Sequence, residues 1–166
     1  MYHEESSGEN RPLPYPSPTA VLPDPRMAGR LMYSFYHELD TISTYIYNAI
    51  VYETAAPALS ALFESLAETE MHHFMLLGRA IRALGANPVI RTGLRVPAVN
   101  LPESPTAADL TAATRLTLKN AIRGEQGAIR EYLALADLTS DPALAALLRR
   151  IAHDEREHVR LLECQC

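Results

Sequence analysis

The chain has 166 residues, a length at which one domain can bury a substantial hydrophobic core without disulfides or metals to hold it together. Its formal net charge is -5, from 15 Lys and Arg against 20 Asp and Glu, and the sequence contains no basic run. This balance argues against nucleic acid or an anionic membrane surface as a partner.

The first element in chain order is a proline-rich arm over residues 1–24. It has no periodic apolar pattern, and its prolines are Pro12, Pro14, Pro16, Pro18 and Pro23. Such a segment is predicted to be extended rather than helical. Because residues 1–5 are acidic where a signal peptide would be basic, and no apolar run approaches membrane-spanning length, we expect a cytoplasmic protein.

Two helices are predicted next, over about residues 25–53 and 57–84. The first begins at Asp24, an acidic N-cap before a proline, and the second ends at Gly85. The apolar stripe of the first helix is predicted to comprise Leu31, Phe35, Leu39, Ile42 and Ile46.

The second half of the chain repeats this plan, with helices predicted over about residues 106–137 and 142–163. The connections inside each half are short, so each half should form an antiparallel hairpin. Residues 86–105 contain four prolines and are long enough to cross the full length of a helix. The sequence therefore predicts an all-α four-helix bundle over residues 25–164, made of two antiparallel hairpins joined by a long crossover.

An internal repeat supports the doubled hairpin. Residues 57–73 align without a gap with residues 142–158, and eight of the seventeen positions are identical. The identical positions include a Glu-x-x-His pair in each copy, Glu70 with His73 and Glu155 with His158.

The preceding helices share a second pattern, in which Glu38 and Glu125 occupy equivalent positions. Counting residues from each hairpin turn places both of these glutamates at the level of the Glu-x-x-His pairs. Four carboxylates in or beside apolar stripes would be very costly to bury unless they were protonated or neutralised by cations. We therefore predict a site for two metal ions, the alternative being solvated charges on a plain bundle. The predicted ligands are Glu38, Glu70, His73, Glu125, Glu155 and His158.

This set, one glutamate from each of two helices and Glu-x-x-His from each of the other two, resembles the ferritin-like superfamily of dinuclear carboxylate proteins, over about residues 25–163. Within it the chain looks most like the rubrerythrin and manganese-catalase branch. The resemblance implies two iron or two manganese ions per chain. It also implies that Glu70 and Glu155 bridge the metals, that Glu38 and Glu125 are terminal ligands, and that each histidine binds one metal.

Three further residues are candidates for catalytic roles beside the ligands. Tyr45 and Tyr132 lie seven residues after Glu38 and Glu125, so each phenol could bond a terminal carboxylate or reach bound oxygen species, or could simply be a core tyrosine. Asp154 is expected to accept the outer N–H of a ligand histidine, with a surface salt bridge as the alternative.

The resemblance implies oxidoreductase activity on peroxide or O₂, as a rubrerythrin-like peroxidase or a catalase-like enzyme. One alternative is a ferroxidase or iron-handling protein, and another is a non-enzymatic structural or coat protein that binds metal. A peroxidase would need a separate electron-donor protein, because the only cysteines, Cys164 and Cys166, lie at the C-terminus. We expect a homodimer or a small homo-oligomer.

Overall fold

The computed structural model describes residues 14–17, 23–90 and 106–166. The described residues form four α-helices and no strands, which confirms the predicted all-α class. The helices are α1 (Pro25–Tyr52), α2 (Pro57–Ala83), α3 (Ala107–Leu138) and α4 (Pro142–Glu163). None of these helices is long and apolar enough to cross a membrane.

Three of the four helices begin at a side chain that caps their free backbone N–H groups. Asp24 accepts from the N–H groups of residues 26 and 27, and Asp141 does the same for residues 143 and 144. Thr106 and Asp109 form a reciprocal capping box at the start of α3. The helix starts are therefore encoded locally.

The directions of the helices follow from which residues face each other. Tyr45 of α1 donates a hydrogen bond to Glu125 of α3, while Tyr132 of α3 donates to Glu38 of α1. Higher numbers in one helix thus meet lower numbers in the other, so α1 and α3 are antiparallel. Because α1 is also antiparallel to α2 within the first hairpin, α2 and α3 run parallel, as the prediction of two hairpins joined by a crossover requires.

The apolar core is divided into two clusters. The larger one contains Leu31, Phe35, Leu77 and Leu148 at one end of the bundle, and the smaller contains Phe63 and other residues at the opposite end. The six predicted metal ligands lie between them along the bundle axis. The polar layer is therefore closed off by apolar side chains above and below.

One part of the predicted apolar stripe was wrong. Ile46 is 44% exposed, and Leu39 is only partly buried. The inward positions in this part of α1 are Glu38 and the aromatic residues Tyr45 and Tyr52. The prediction assumed that only apolar residues face the core, whereas Glu38 also faces it here.

Two sequence predictions fall largely outside the described residues. The proline-rich arm includes residues 1–13 and 18–22, and the long connection includes residues 91–105, none of which is described. Of the arm, residues 14–17 and 23–24 are described, and Tyr15 packs against the larger core cluster.

The end of α2 provides a test of the fold. Gly85 has a φ of 90°, and the N–H of Ala86 bonds the carbonyl of Ile81, which is the Schellman arrangement. We expect Gly85→Ala to lower the free energy of unfolding by about 1–2 kcal/mol, because an L side chain is strained at positive φ. Gly29→Ala is the control, since Gly29 is helical with open space at its Cβ position, and it should be neutral or stabilising. Urea denaturation of both variants measures the difference, and equal stabilities would contradict the prediction.

Candidate metal centre

All six predicted ligands converge on one layer of the bundle and are buried. Their relative exposures do not exceed 4%, and Glu155 and His73 are completely inaccessible. Each helix contributes to the layer: α1 and α3 supply one glutamate each, and α2 and α4 supply a Glu-x-x-His pair each. The repeat seen in the sequence is therefore matched by a repeat in space.

The ligand atoms form two overlapping sets, each compact enough to surround one ion. The first set is Glu38, Glu70, His73 and Glu155, and the second is Glu70, Glu125, Glu155 and His158. Within each set the candidate atoms lie within 4.8 Å of one another. Glu70 and Glu155 belong to both sets, which is the geometry that carboxylates bridging two metal ions require.

Both histidines present Nδ1 to the shared carboxylates. Nδ1 of His73 lies 3.0 Å from Glu70 Oε2 and 3.1 Å from Glu155 Oε1. Nδ1 of His158 lies 2.9 Å from Glu155 Oε2 and 3.0 Å from Glu70 Oε1. The two imidazoles therefore occupy equivalent positions on opposite sides of the carboxylate pair.

Several of these buried atoms lack a hydrogen bond of acceptable geometry. They are Glu70 Oε1, both carboxylate oxygens of Glu155, and Nδ1 of His158. Unsatisfied buried polar atoms are costly and uncommon in folded proteins. Here they lie close together, with Nδ1 of His158 3.0 Å from Glu70 Oε1 and 2.9 Å from Glu155 Oε2, as expected of donor atoms arranged around a common ion. Oxygen and imidazole donors of this kind suit iron or manganese, so the residues present fit a pair of such ions.

Without metal, the layer has to retain protons. Burial together with the charges of Glu70 and Glu155 raises the pKa of Glu38 well above its usual value. Burial and the charge of Glu70 likewise raise the pKa of Glu125 to about 8. Both terminal carboxyls are therefore largely protonated at neutral pH unless cations replace the protons.

In Glu70 and the histidines, by contrast, the charged form is favoured. Burial disfavours the charged form of Glu70, but the nearby imidazoles of His158 and His73, each about 3.0 Å from one of its oxygens, outweigh it and lower the pKa of that carboxyl. Burial also opposes charging of His73, but the charge of Glu155 and a hydrogen bond with Asp154 raise its pKa well above the usual value. The metal-free layer is thus held together by imidazolium groups that stand where cations would bind.

Each of the two tyrosines donates a hydrogen bond to one of the glutamates that were predicted to be terminal ligands. Each of these bonds crosses the bundle from one helix to another. Tyr45 bonds Glu125 rather than Glu38 of its own helix, and Tyr132 bonds Glu38. Both phenols are buried, and burial with the nearby Glu125 charge raises the pKa of Tyr45 well above its usual value. Tyr45 therefore stays protonated, and both phenols act as donors.

Asp154 lies on the outer side of His73. Its Oδ2 is 3.3 Å from Nε2 of His73, and its Oδ1 accepts from Arg150 one turn earlier in α4. Hydrogen bonds from His73 and Arg150 outweigh burial and lower the pKa of Asp154, so it is a carboxylate. The neighbouring His72 and His153 are exposed and lie outside the ligand sets.

Sequence reasoning missed Tyr15. Its hydroxyl donates to Asp154 Oδ2 at 2.6 Å, and its ring lies beside His72 and under the guanidinium of Arg150. Burial and the bond to Asp154 raise the pKa of Tyr15 to about 12. The arm has no periodic sequence pattern from which the position of Tyr15 could be predicted. The contact between Arg150 and Asp154 could have been predicted, because the two residues have the i, i+4 spacing of neighbours on a helix.

Comparison with known proteins identifies the family and supports the fold. A family model described as a ferritin-like domain matches residues 33–166. The structure of Mycobacterium tuberculosis bacterioferritin superposes with a TM-score of 0.69 at 20% identity, covering 87% of this chain and 86% of that one. The dodecameric thioferritin of Bacteroides fragilis, a bacterioferritin-related protein, superposes with a TM-score of 0.64 at 26% identity, covering 83% of this chain and 82% of that one. Comparison with curated proteins finds no significant match.

The protonated state of the metal-free layer generates a pH prediction. A cation must displace protons from Glu125, whose pKa is about 8, and from Glu38 and the histidines, whose pKa values are also raised. We therefore expect the affinity for Mn²⁺ or Fe²⁺ to fall as the pH is lowered from 8, with proton release on binding. Calorimetric titrations in buffers of different ionisation enthalpy measure both quantities, and a pH-independent affinity with no proton release would contradict the prediction.

Proposed function

Because the chain belongs to the family of proteins with a ferritin-like domain, whose model matches residues 33–166, we propose that it is a dinuclear iron protein that oxidises Fe²⁺ as a ferroxidase. The observation that carries this proposal is the pair of overlapping ligand sets that share Glu70 and Glu155. Buried oxygen and imidazole donors with unsatisfied atoms are suited to taking up two divalent cations side by side.

The comparisons favour the iron-handling alternative over the peroxidase or catalase that was the leading expectation. They support the ferritin-like superfamily, and the similar structures include a bacterioferritin and a bacterioferritin-related protein. Rubrerythrins carry an extra glutamate three residues past the α3 ligand, where this chain has Ala128, which packs in the larger apolar cluster. These observations support iron oxidation without a dedicated peroxidase partner.

In the proposed site, Glu70 and Glu155, which belong to both ligand sets, would hold two iron ions together with one terminal glutamate and one histidine at each position. Two Fe²⁺ ions would supply the two electrons that, with two protons, convert O₂ to hydrogen peroxide, or peroxide to two waters. Tyr45 and Tyr132 hold the terminal carboxylates in place through their hydrogen bonds. Apolar side chains above and below the layer limit the entry of bulk water.

We also propose that the protein is a homo-oligomer. The similar protein of Bacteroides fragilis is described as dodecameric. In this chain, exposed apolar side chains occur on the outer surfaces of α1 and α2, including Ile46, Ile50, Met71 and Met75. Ile46 and Ile50 are one turn apart on α1, and Met71 and Met75 are one turn apart on α2, so each pair adds a local apolar surface on which a second copy could pack.

The test is the rate of Fe²⁺ oxidation by O₂, followed by absorbance with two equivalents of iron per chain. We expect the wild-type protein to accelerate oxidation. Glu70→Gln should return the rate to that of iron without protein, because it removes the charge of a carboxylate shared by both positions. Glu68→Gln, an exposed change on the same helix, should retain wild-type activity.

The same experiment separates the rival functions. Binding of two iron ions without faster oxidation would favour a structural metal-binding bundle and would contradict the proposal. Rapid release of O₂ from peroxide by the manganese-loaded protein would instead support the catalase-like alternative. Equal oxidation rates for the Glu70 and Glu68 variants would show that the carboxylate layer is not the site of oxidation.

A further inference from the structure

Tyr15, in the described part of the N-terminal arm, contacts the layer of candidate ligands on the side of His73. Tyr15 donates to Oδ2 of Asp154 at 2.6 Å, and this oxygen lies 3.3 Å from Nε2 of His73. The Tyr15 hydroxyl itself lies 3.5 Å from the same Nε2, so its shorter and stronger contact is the one to Asp154. The second oxygen of Asp154 accepts from Arg150. Asp154 is therefore held between two donors while it faces the outer nitrogen of one candidate ligand.

The internal repeat has no counterpart for this arrangement at the other histidine. The position equivalent to Asp154 in the first half of the chain is Thr69, which precedes Glu70 as Asp154 precedes Glu155. The Thr69 hydroxyl donates to the carbonyl of Ser65 in its own helix. The repeat therefore supplies an anionic acceptor for His73 and none at the equivalent place for His158.

A carboxylate on the outer nitrogen of a metal-binding histidine has two effects. By accepting the proton on Nε2, it leaves the lone pair of Nδ1 available to the metal, and it raises the basicity of the ring. The Nδ1 atom of His73 is the one that faces Glu70 and Glu155. The orientation of Asp154 thus favours the tautomer that the metal position requires.

Tyr15 is suited to hold Asp154 in that orientation. Its ring centroid is 4.6 Å from that of His72 and 4.5 Å from the guanidinium carbon of Arg150, so the ring is packed between α2 and α4. A phenol fixed in this way brings its hydroxyl to Asp154 at little further cost in conformational entropy. Because the contact comes from the arm, it is separate from the four helices that carry the ligands.

We propose that Tyr15 is a positioning residue that acts through Asp154 on the His73 position alone, so that the two positions of the centre bind a divalent cation unequally. This inference rests on the proposed dinuclear site. The His73 position is the tighter one, by about 10- to 100-fold, the usual effect of a hydrogen-bonding partner on a ligand histidine.

The test is a titration of the full metal-free chain with Co²⁺ under argon, followed by visible absorbance and calorimetry. The wild-type protein is expected to show two binding steps of unequal affinity. His158→Ala should remove the weaker step and His73→Ala the tighter one, which assigns each step to a position. Circular dichroism of each variant establishes that the helices are retained.

Tyr15→Phe keeps the ring and removes only the hydroxyl. It should weaken the tighter step roughly 2- to 10-fold, the worth of one hydrogen bond, and leave the weaker step unchanged. Asp154→Asn should weaken the same step more strongly, and the double variant should be no weaker than Asp154→Asn alone, because Tyr15 acts through Asp154. Tyr33→Phe is the matched control, since Tyr33 is 67% exposed on α1, and it should change neither step.

The outcomes separate this inference from the proposed function. Two steps that are equal in the wild type, or a Tyr15→Phe variant that matches Tyr33→Phe, would overturn the role of Tyr15 while leaving the dinuclear site intact. Equal weakening of both steps would also overturn it, because a general loss of packing would then be the cause. Failure of the wild type to bind Co²⁺ at all would overturn the metal centre and the inference with it.

Discussion

The structure depends on the cost of placing four carboxylates in one buried layer. Glu38, Glu70, Glu125 and Glu155 are each almost inaccessible to solvent, and like charges at this separation repel strongly where water cannot screen them. The layer persists only if positive charge is supplied within it. Two histidines supply part of that charge as imidazolium groups, and two divalent cations would balance the four carboxylates in full.

The two hairpins contribute equally to this layer of charged groups. The antiparallel pairing of α1 with α3 brings each tyrosine to the glutamate of the opposite half, so the two halves satisfy each other's polar groups. The same reversal between α2 and α4 places each histidine against the glutamates of both helices. Neither hairpin could complete the layer alone, because a buried carboxylate without its partner would lose the hydrogen bond that offsets its desolvation.

A departure from symmetry lies on the outer side of His73. Asp154, Arg150 and Tyr15 are packed there, whereas the repeat places Thr69 at the corresponding point of the other half. The repeated ligands give two similar candidate positions for a cation. The groups around each position decide how far their affinities for the cation differ. A ligand set inherited by duplication can thus acquire unequal positions through a single substitution and a contact from outside the bundle.

The sequence by itself determined the four helices, the hairpin order and the six residues that meet in the polar layer, because helical periodicity, caps and an internal repeat are local signals. Only the tertiary structure decided that Tyr45 bonds Glu125 instead of Glu38, that Ile46 lies on the surface, and that Tyr15 reaches Asp154. These contacts join residues far apart in the chain. Spacing along one helix states which face a residue occupies, but which side chain it meets depends on the helix packed opposite.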